Sequence, residues 1–223
     1  MRAWTKFAIV TLLLLVTTTL EAQLHNNYTK EYYIGVNGGA TLSTMRFSPT
    51  LKQTMKLGVN TGVTMRYIAE KYFGLQAEVN FQQRGWAEKV TLDNPNTYNR
   101  TLNYIEVPFL THIFFNAGPT RIFVNLGPKI CFLIGDSEVN NYGEPNESMG
   151  RGKAVENRVD YGVCGGLGFE FRSKIGTFGI DGRYYFGLGD IFNNSKSDPF
   201  EASANQVISA NAYYLIPFKS KKR

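Results

Sequence analysis

The residues in this chain whose types could support catalysis or metal binding are few. Among 223 residues there are two His and two Cys. His112 and Glu106 fall on one face of a predicted strand, but six strand residues at about 3.3 Å each separate them by roughly 20 Å. They cannot form an acid–base pair, and His25 has no candidate partner near it. We therefore interpret His112 as a packed interior histidine.

The cysteines and the acidic residues near strand ends are equally weak candidates. Cys131 and Cys164 are predicted to point inward on adjacent strands, so a cross-strand disulfide stays open as an alternative. Two Cys and two His are too few for an Fe–S protein or a disulfide scaffold. Four acids fall in predicted loops or at their edges, where solvation is the ordinary role: Asp136, Glu138, Asp190 and Asp198.

A glycine-rich stretch at residues 162–168, GVCGGLG, superficially resembles a phosphate-binding loop. It lacks the Lys-Ser/Thr ending and a following helix, which favours glycines within a strand. The sequence therefore predicts no catalytic residue, no cofactor and no metal, and we expect that the protein is not an enzyme.

The pattern that dominates the chain is strand alternation. From Lys56 to Tyr67 every second residue is apolar, and the residues between are polar or small. This period of two recurs in nearly every ordered stretch, and helical periodicity is almost missing, so the chain is predicted to be all-β.

The alternating stretches predict eight long strands and two kinds of connection. Short turns near 69–71, 116–120 and 172–176 alternate with long polar loops near 43–54, 87–101, 135–157 and 192–205. Strands that exceed about 9 to 11 residues, with short turns at one end and long loops at the other, are typical of outer-membrane barrels. We predict an eight-stranded antiparallel up-and-down transmembrane β-barrel. Its strands are expected at 32–42, 55–67, 72–86, 102–115, 121–134, 158–171, 177–191 and 206–218.

Alternation alone does not decide whether the apolar face meets lipid or fills a soluble lipocalin-like barrel. The polar face is rich in glycine, which suits a narrow lumen, and the apolar face carries aromatic residues near strand ends, as lipid-interface girdles do. The last strand closes on outward Tyr214, Ile216 and Phe218, which resemble the C-terminal signal of outer-membrane barrels. These features favour lipid on the apolar face.

Charged residues on the predicted polar face are balanced, five positive against five negative. An eight-stranded lumen is just wide enough for side chains to fill, so balanced charge predicts an ion-pair network that closes the barrel. A selective pore would show one dominant sign. The predicted network consists of Lys56, Arg66, Glu78, Arg84, Glu106, Lys129, Asp160, Glu170, Asp181 and Arg183.

The N-terminal residues predict export. Residues 1–22 combine a basic start, an uncharged run of 14 residues and Ala22 at a cleavage point, which indicates a signal peptide followed by a barrel domain at 23–223. The net charge is +6, but four basic residues lie in the last five positions and the body is close to neutral. Nucleic acid is therefore not an expected partner.

Several short motifs, in order along the chain, resemble the PorT-like outer-membrane β-barrel proteins. They are 74–85 (GLQAEVNFQQRG), 103–109 (NYIEVPF), 124–128 (VNLGP), 160–163 (DYGV) and 182–191 (GRYYFGLGDI). The resemblance spans about residues 32–218. It implies an eight-stranded barrel in the outer membrane of a Gram-negative bacterium, and the name-giving member takes part in protein secretion across that membrane.

We expect an integral barrel with a plugged lumen and a structural or interaction role, exercised through its extracellular loops, of which the connection at 136–157 is the strongest contact candidate. Outer-membrane lipid and envelope or secretion-machine proteins are the expected partners. An accessory part in an outer-membrane secretion or assembly machine is the alternative. A small-solute channel or a lipocalin-like carrier is less favoured.

Overall fold

The computed structural model describes residues 29–48, 53–88, 98–140, 155–192 and 202–218. They form one closed antiparallel barrel in which neighbours along the chain pair and the last strand pairs with the first. The strands are β1 (Glu31–Ser48), β2 (Gln53–Ile68), β3 (Phe73–Glu88), β4 (Tyr98–Ala117), β5 (Thr120–Asn140), β6 (Val159–Ser173), β7 (Gly176–Asp190) and β8 (Ala202–Phe218). The predicted fold class is confirmed. The predicted signal peptide at 1–22 lies outside the described residues.

Tight turns join β2 to β3, β4 to β5 and β6 to β7 at one end of the barrel, here called the turn end. The β4–β5 turn needs only two residues because Gly118 adopts a φ of 64°, which costs little without a Cβ. The opposite end, where the longer connections leave the strands, is called the loop end.

The outward face of the strands forms a continuous apolar belt. On β1 it runs from Tyr32 to Leu42, and on β2 from Leu57 to Tyr67, with large side chains about half exposed. Soluble proteins do not expose apolar area on this scale, and a belt about 9 to 11 residues tall matches a bilayer crossing. The apolar face therefore meets lipid, and the lipocalin-like alternative is wrong. Across the described ranges no helix has the length and apolar character to span a membrane.

Several strands continue past the predicted limits at the loop end. β1 reaches Ser48 instead of 42, β4 begins at Tyr98 instead of 102, and β5 reaches Asn140 instead of 134. Beyond the belt the pattern inverts: Met45 and Phe47 point inward while Arg46 is exposed. The chain is still paired there, but its outer solvent is water, so an apolar outward face no longer marks the strand.

Candidate functional site: the barrel interior

The barrel interior holds a connected set of buried ion pairs. Because side chains alternate along a strand, every second residue points into the lumen. Midway along the barrel these inward positions carry polar side chains. The set consists of three groups, named here the loop-side, middle and turn-side clusters.

The loop-side cluster is built around Arg84. Its guanidinium lies 2.9 Å from Glu106 Oε2 and 3.0 Å from Asp160 Oδ2, and Lys129 Nζ shares Glu106 at 2.7 Å. The Arg84 guanidinium also lies over the Tyr104 ring, 4.5 Å from its centroid. Four buried charged side chains from β3, β4, β5 and β6 thus meet in one cluster.

The middle cluster joins Arg183 to Glu78 at 2.8 Å and to Asp181 at 2.7 Å. Asn80 donates to Glu78 Oε2 at 2.8 Å and to Glu106 Oε1 at 3.3 Å, which links this cluster to the loop-side one.

The turn-side cluster places one carboxylate between two guanidinium groups. Arg66 contacts Glu170 Oε2 at 2.5 Å, and Arg121 contacts Glu170 Oε1 at 2.9 Å. Tyr213 donates to the same carboxylate at 2.9 Å. Gln76 connects this cluster to the middle one, because it accepts from Arg66 Nε and donates to Glu78.

The three clusters contain nine of the ten residues predicted from the sequence. Lys56 is not among them: its ammonium donates to Asn99 at the loop end, and the residue lies within an irregularity in the β2–β3 register between Met55 and Asn60. Arg121 is the residue of these clusters that sequence reasoning missed, although it shares the inward face with Phe123. With Arg121 included, the three clusters carry five positive and five negative side chains.

Apolar side chains pack at both ends of this polar interior. The loop-end cluster includes Met45, Phe47, Trp86, Tyr98, Leu102 and Phe192. The turn-end cluster is Ile68, Phe114, Phe123, Tyr213 and Leu215. Between the loop-side and middle clusters lies a cavity of about 10 Å³ beside Lys129 and Arg183, enough for about one water molecule.

Three of the four rim acids that we expected to be solvated have a partner. Arg100 is buried in the loop-end cluster and contacts Asp136 and Glu138 at 2.6 Å each. Its guanidinium also lies 5.7 Å from the Trp86 ring centroid. Arg100 was missed because it falls beyond the predicted start of β4. Asp190 accepts from the Ser203 amide, and Asp198 lies outside the described residues.

The remaining candidates take structural places. His112 is fully buried, and its Nδ1 lies 2.8 Å from Asn125 Oδ1. Cys131 and Cys164 are both free and buried, because the register places Cys131 opposite Asp160 and Cys164 opposite Gly127. Residues 162–168 lie within β6. Among the described residues no group of three or more His, Cys, Asp or Glu side chains is arranged to hold a metal ion.

Tyr214, Ile216 and Phe218 lie on the outward face of the last strand, in the apolar belt. Register pairs Ile216 with Ile34 and Phe218 with Tyr32, so this segment closes the barrel against β1.

Comparison with known proteins supplies the family. Residues 21–193 match the family described as Outer membrane protein beta-barrel domain. The chain belongs to this family. It is an outer-membrane β-barrel protein, and no curated protein sequence matches it.

One solved structure supports the same fold, and a second is similar at a lower score. OprG of Pseudomonas aeruginosa is 12% identical, with a TM-score of 0.53 and coverage of 85% of this chain and 97% of OprG. Ail of Yersinia pestis, solved with the heparin analogue sucrose octasulfate, is 15% identical, with a TM-score of 0.45 and coverage of 83% of this chain and 99% of Ail.

Proposed function

We propose that this protein is an integral outer-membrane barrel of a Gram-negative bacterium whose lumen is closed, and that it acts as a structural or interaction protein through its extracellular loops. The closed lumen is supported by one observation above all: the balanced ion-pair clusters are capped by apolar side chains at both ends. A conducting pore needs a continuous water path, and filled eight-stranded barrels lack one. The proposal assigns the protein no catalytic activity and no cofactor.

Planar-bilayer recording of the purified full-length protein tests the closed lumen. We expect no resolved single-channel steps for the natural protein. Arg84→Ala combined with Trp86→Ala serves as the opened comparison, because the two changes remove side chains from the loop-side cluster and from the apolar cap above it. Steady conductance from the natural protein would contradict the proposal and favour a small-solute channel.

The interaction role rests on the loops, since short turns face the periplasm in outer-membrane barrels and long connections face outward. The connection at 136–157 remains our strongest contact candidate; the structure describes its residues 136–140 and 155–157. Rigid barrels present variable function on such connections.

A second candidate is an accessory component of an outer-membrane protein secretion or assembly machine. The resemblance of residues 74–85 and 182–191 to PorT-like proteins favours it. Affinity capture of the detergent-solubilised protein tests this candidate: stoichiometric envelope proteins would support it, and recovery of the barrel alone would contradict it.

A further inference from the structure

The pairing of β2 with β3 is interrupted where the apolar belt approaches the loop end. The regular register stops after Met55 and resumes at Asn60, so residues 56–59 of β2 and 83–85 of β3 have no register partner across this boundary. Both segments keep their other neighbour, because β1 pairs with β2 and β4 pairs with β3 along the same stretch. Among the described strands no other boundary lacks partners over as many residues. This stretch is called the seam.

Two hydroxyl groups of β1 cross the seam on its lumen side. Thr41 Oγ1 donates to the Gln83 carbonyl at 2.8 Å. Ser43 Oγ accepts from the Gly85 amide at 2.9 Å and donates to the Gly85 carbonyl at 3.0 Å. Both β1 side chains are buried. Backbone groups of β3 in the seam thus find their partners on a third strand, and these three hydrogen bonds are named the hydroxyl strap.

Gly58 makes room for the hydroxyl strap. Two strands that are separated by a third lie about 10 Å apart in a regular sheet, which is too far for a threonine side chain to bridge. Thr41 is the register partner of Gly58, and a Cβ at residue 58 would lie 2.5 Å from the Gln83 carbonyl oxygen and 2.7 Å from Thr41 Oγ1. The wall is therefore folded sharply at Gly58, and the strap lies in the space that a larger residue would fill.

The seam lies beside the centre of the loop-side cluster. Arg84 is the middle residue of the β3 segment, and its guanidinium lies 3.0 Å from Cys131 Sγ in addition to its two carboxylate partners. On the other side of β1, the pairing of β1 with β8 runs without interruption from Tyr32 to Ser48. An opening at the seam therefore reaches the buried charges while the barrel stays closed between its first and last strands.

We propose that the hydroxyl strap holds the β2–β3 seam shut, and that release of the strap opens the barrel wall locally onto the loop-side cluster. A continuous ladder of backbone hydrogen bonds opens cooperatively, whereas the strap is lost without separating the paired stretches on either side of the seam. A buried carbonyl that loses its donor costs free energy, so the strap favours the closed wall. This device gives a closed barrel one place at which it opens without unfolding.

Hydrogen–deuterium exchange of the full-length protein in lipid nanodiscs, read by mass spectrometry, tests where the wall opens. Thr41→Val combined with Ser43→Ala removes both hydroxyls without adding bulk. We expect exchange in peptides that contain residues 56–59 and 83–85 to become about tenfold faster, because buried backbone groups lose their partners. Exchange in a β8 peptide that contains residues 207–212 should stay unchanged, because its pairing with β1 is continuous.

Two matched variants control for side effects of the substitutions. Thr41→Ser keeps the hydroxyl and should exchange like the natural protein. Thr54→Val also removes a hydroxyl that donates to a β3 carbonyl, that of Ala87, but Thr54 and Ala87 are regular register partners. Its exchange should therefore stay at the level of the natural protein.

The natural Cys131 thiol reports whether the opening reaches the lumen. This thiol is free and buried beside Arg84. We expect methyl methanethiosulfonate to modify Cys131 about tenfold faster in the Thr41→Val/Ser43→Ala variant than in the natural protein. Peptide mapping separates this reaction from that of Cys164.

Equal acceleration of exchange in every strand would overturn the proposal, because the two hydroxyls would then stabilise the whole barrel and not the seam. Unchanged exchange at the seam would overturn the role of the strap. Faster exchange at the seam with an unchanged rate of Cys131 modification would overturn the opening onto the loop-side cluster. If the double variant does not fold, Thr41→Val alone keeps the shape of the side chain and supports the same comparison with Thr41→Ser.

Discussion

Single residues in the lumen show how charge is tolerated inside a membrane protein. Arg84 has two carboxylates and two aromatic rings as neighbours, so both terminal nitrogens of its guanidinium have an acidic partner and the group also contacts the rings of Tyr104 and Tyr185. A buried ion pair adds little net stability compared with apolar packing. Removing one partner, however, leaves the other as an unpaired charge in a low-dielectric interior. We therefore expect the network to specify the arrangement of the strands more than it adds to their stability.

Arg84→Met tests this at the residue scale. The change leaves Asp160 without its cationic partner, while Glu106 keeps Lys129. We expect the free energy of unfolding to fall by about 3–5 kcal/mol, as for other broken buried pairs. Urea titration of the protein in lipid vesicles measures this. The double variant Arg84→Met/Asp160→Asn should recover part of the loss, and failure to recover any would mean that packing of the Arg84 stem dominates.

Lys56→Met is the matched control for the same measurement. Lys56 lies outside the three clusters and contacts Asn99 at the loop end. Its removal should alter the free energy of unfolding by less than about 0.5 kcal/mol, the usual range for substitutions away from buried networks. A loss as large as that of Arg84→Met would place Lys56 in the network after all.

The same residues show what sequence patterns can reach. The alternation of side chains along a strand predicted that Arg66, Glu78 and Glu106 point inward, and all three are buried. The alternation is strict there because the other face of the strand meets lipid. The same alternation gave a wrong prediction for Lys56, because the β2–β3 register shifts between Met55 and Asn60. The residue types in this segment do not indicate such a shift. Which cation meets which carboxylate depends on inter-strand register, which a single sequence does not contain.

The strands were the most predictable part of the fold, but their lengths at the loop end were underestimated. The existence and order of all eight follow from alternation and turn residues. Their loop-end extensions were missed because the apolar face switches from outside to inside where the surrounding solvent changes from lipid to water. Met45 and Phe47 on β1 carry this inversion.

A charge placed in the middle of an outward strand face tests the belt directly. Val79 lies at mid-strand on β3 and is half exposed to lipid. Val79→Arg should lower the free energy of unfolding by about 2–4 kcal/mol, since arginine at the bilayer midplane is poorly solvated. Urea titration in vesicles of fixed composition measures the loss.

Gln83→Arg on the same face of β3 provides the control. Gln83 lies four residues nearer the loop end, where the apolar belt stops. Arginine there reaches the interface, so the cost should be about 0–1 kcal/mol. Equal costs at the two positions would mean that the belt does not span the bilayer as described.

At the scale of the whole molecule, we expect the closed barrel to provide the stability and the loop-end connections to provide the function. β1 pairs with β8, so the eight described strands leave no open edge. Deleting residues 141–153 should therefore leave a folded barrel and abolish partner capture. Limited proteolysis and affinity capture, run side by side, test both halves. A deletion that prevents folding would show that this connection is part of the scaffold.

Closure also predicts how the full chain behaves on a gel. Every belt strand is hydrogen-bonded on both sides, and the lumen is packed with ion pairs, so detergent alone should not unfold the barrel. We expect outer-membrane material to migrate as a compact species in unboiled samples and to shift on boiling. Arg84→Met should lower the temperature at which the shift occurs, because its unfolding free energy is smaller, whereas Lys56→Met should not. The same mobility before and after boiling would contradict a stable transmembrane barrel, and an equal shift temperature for the two variants would contradict the assignment of Arg84 to its core.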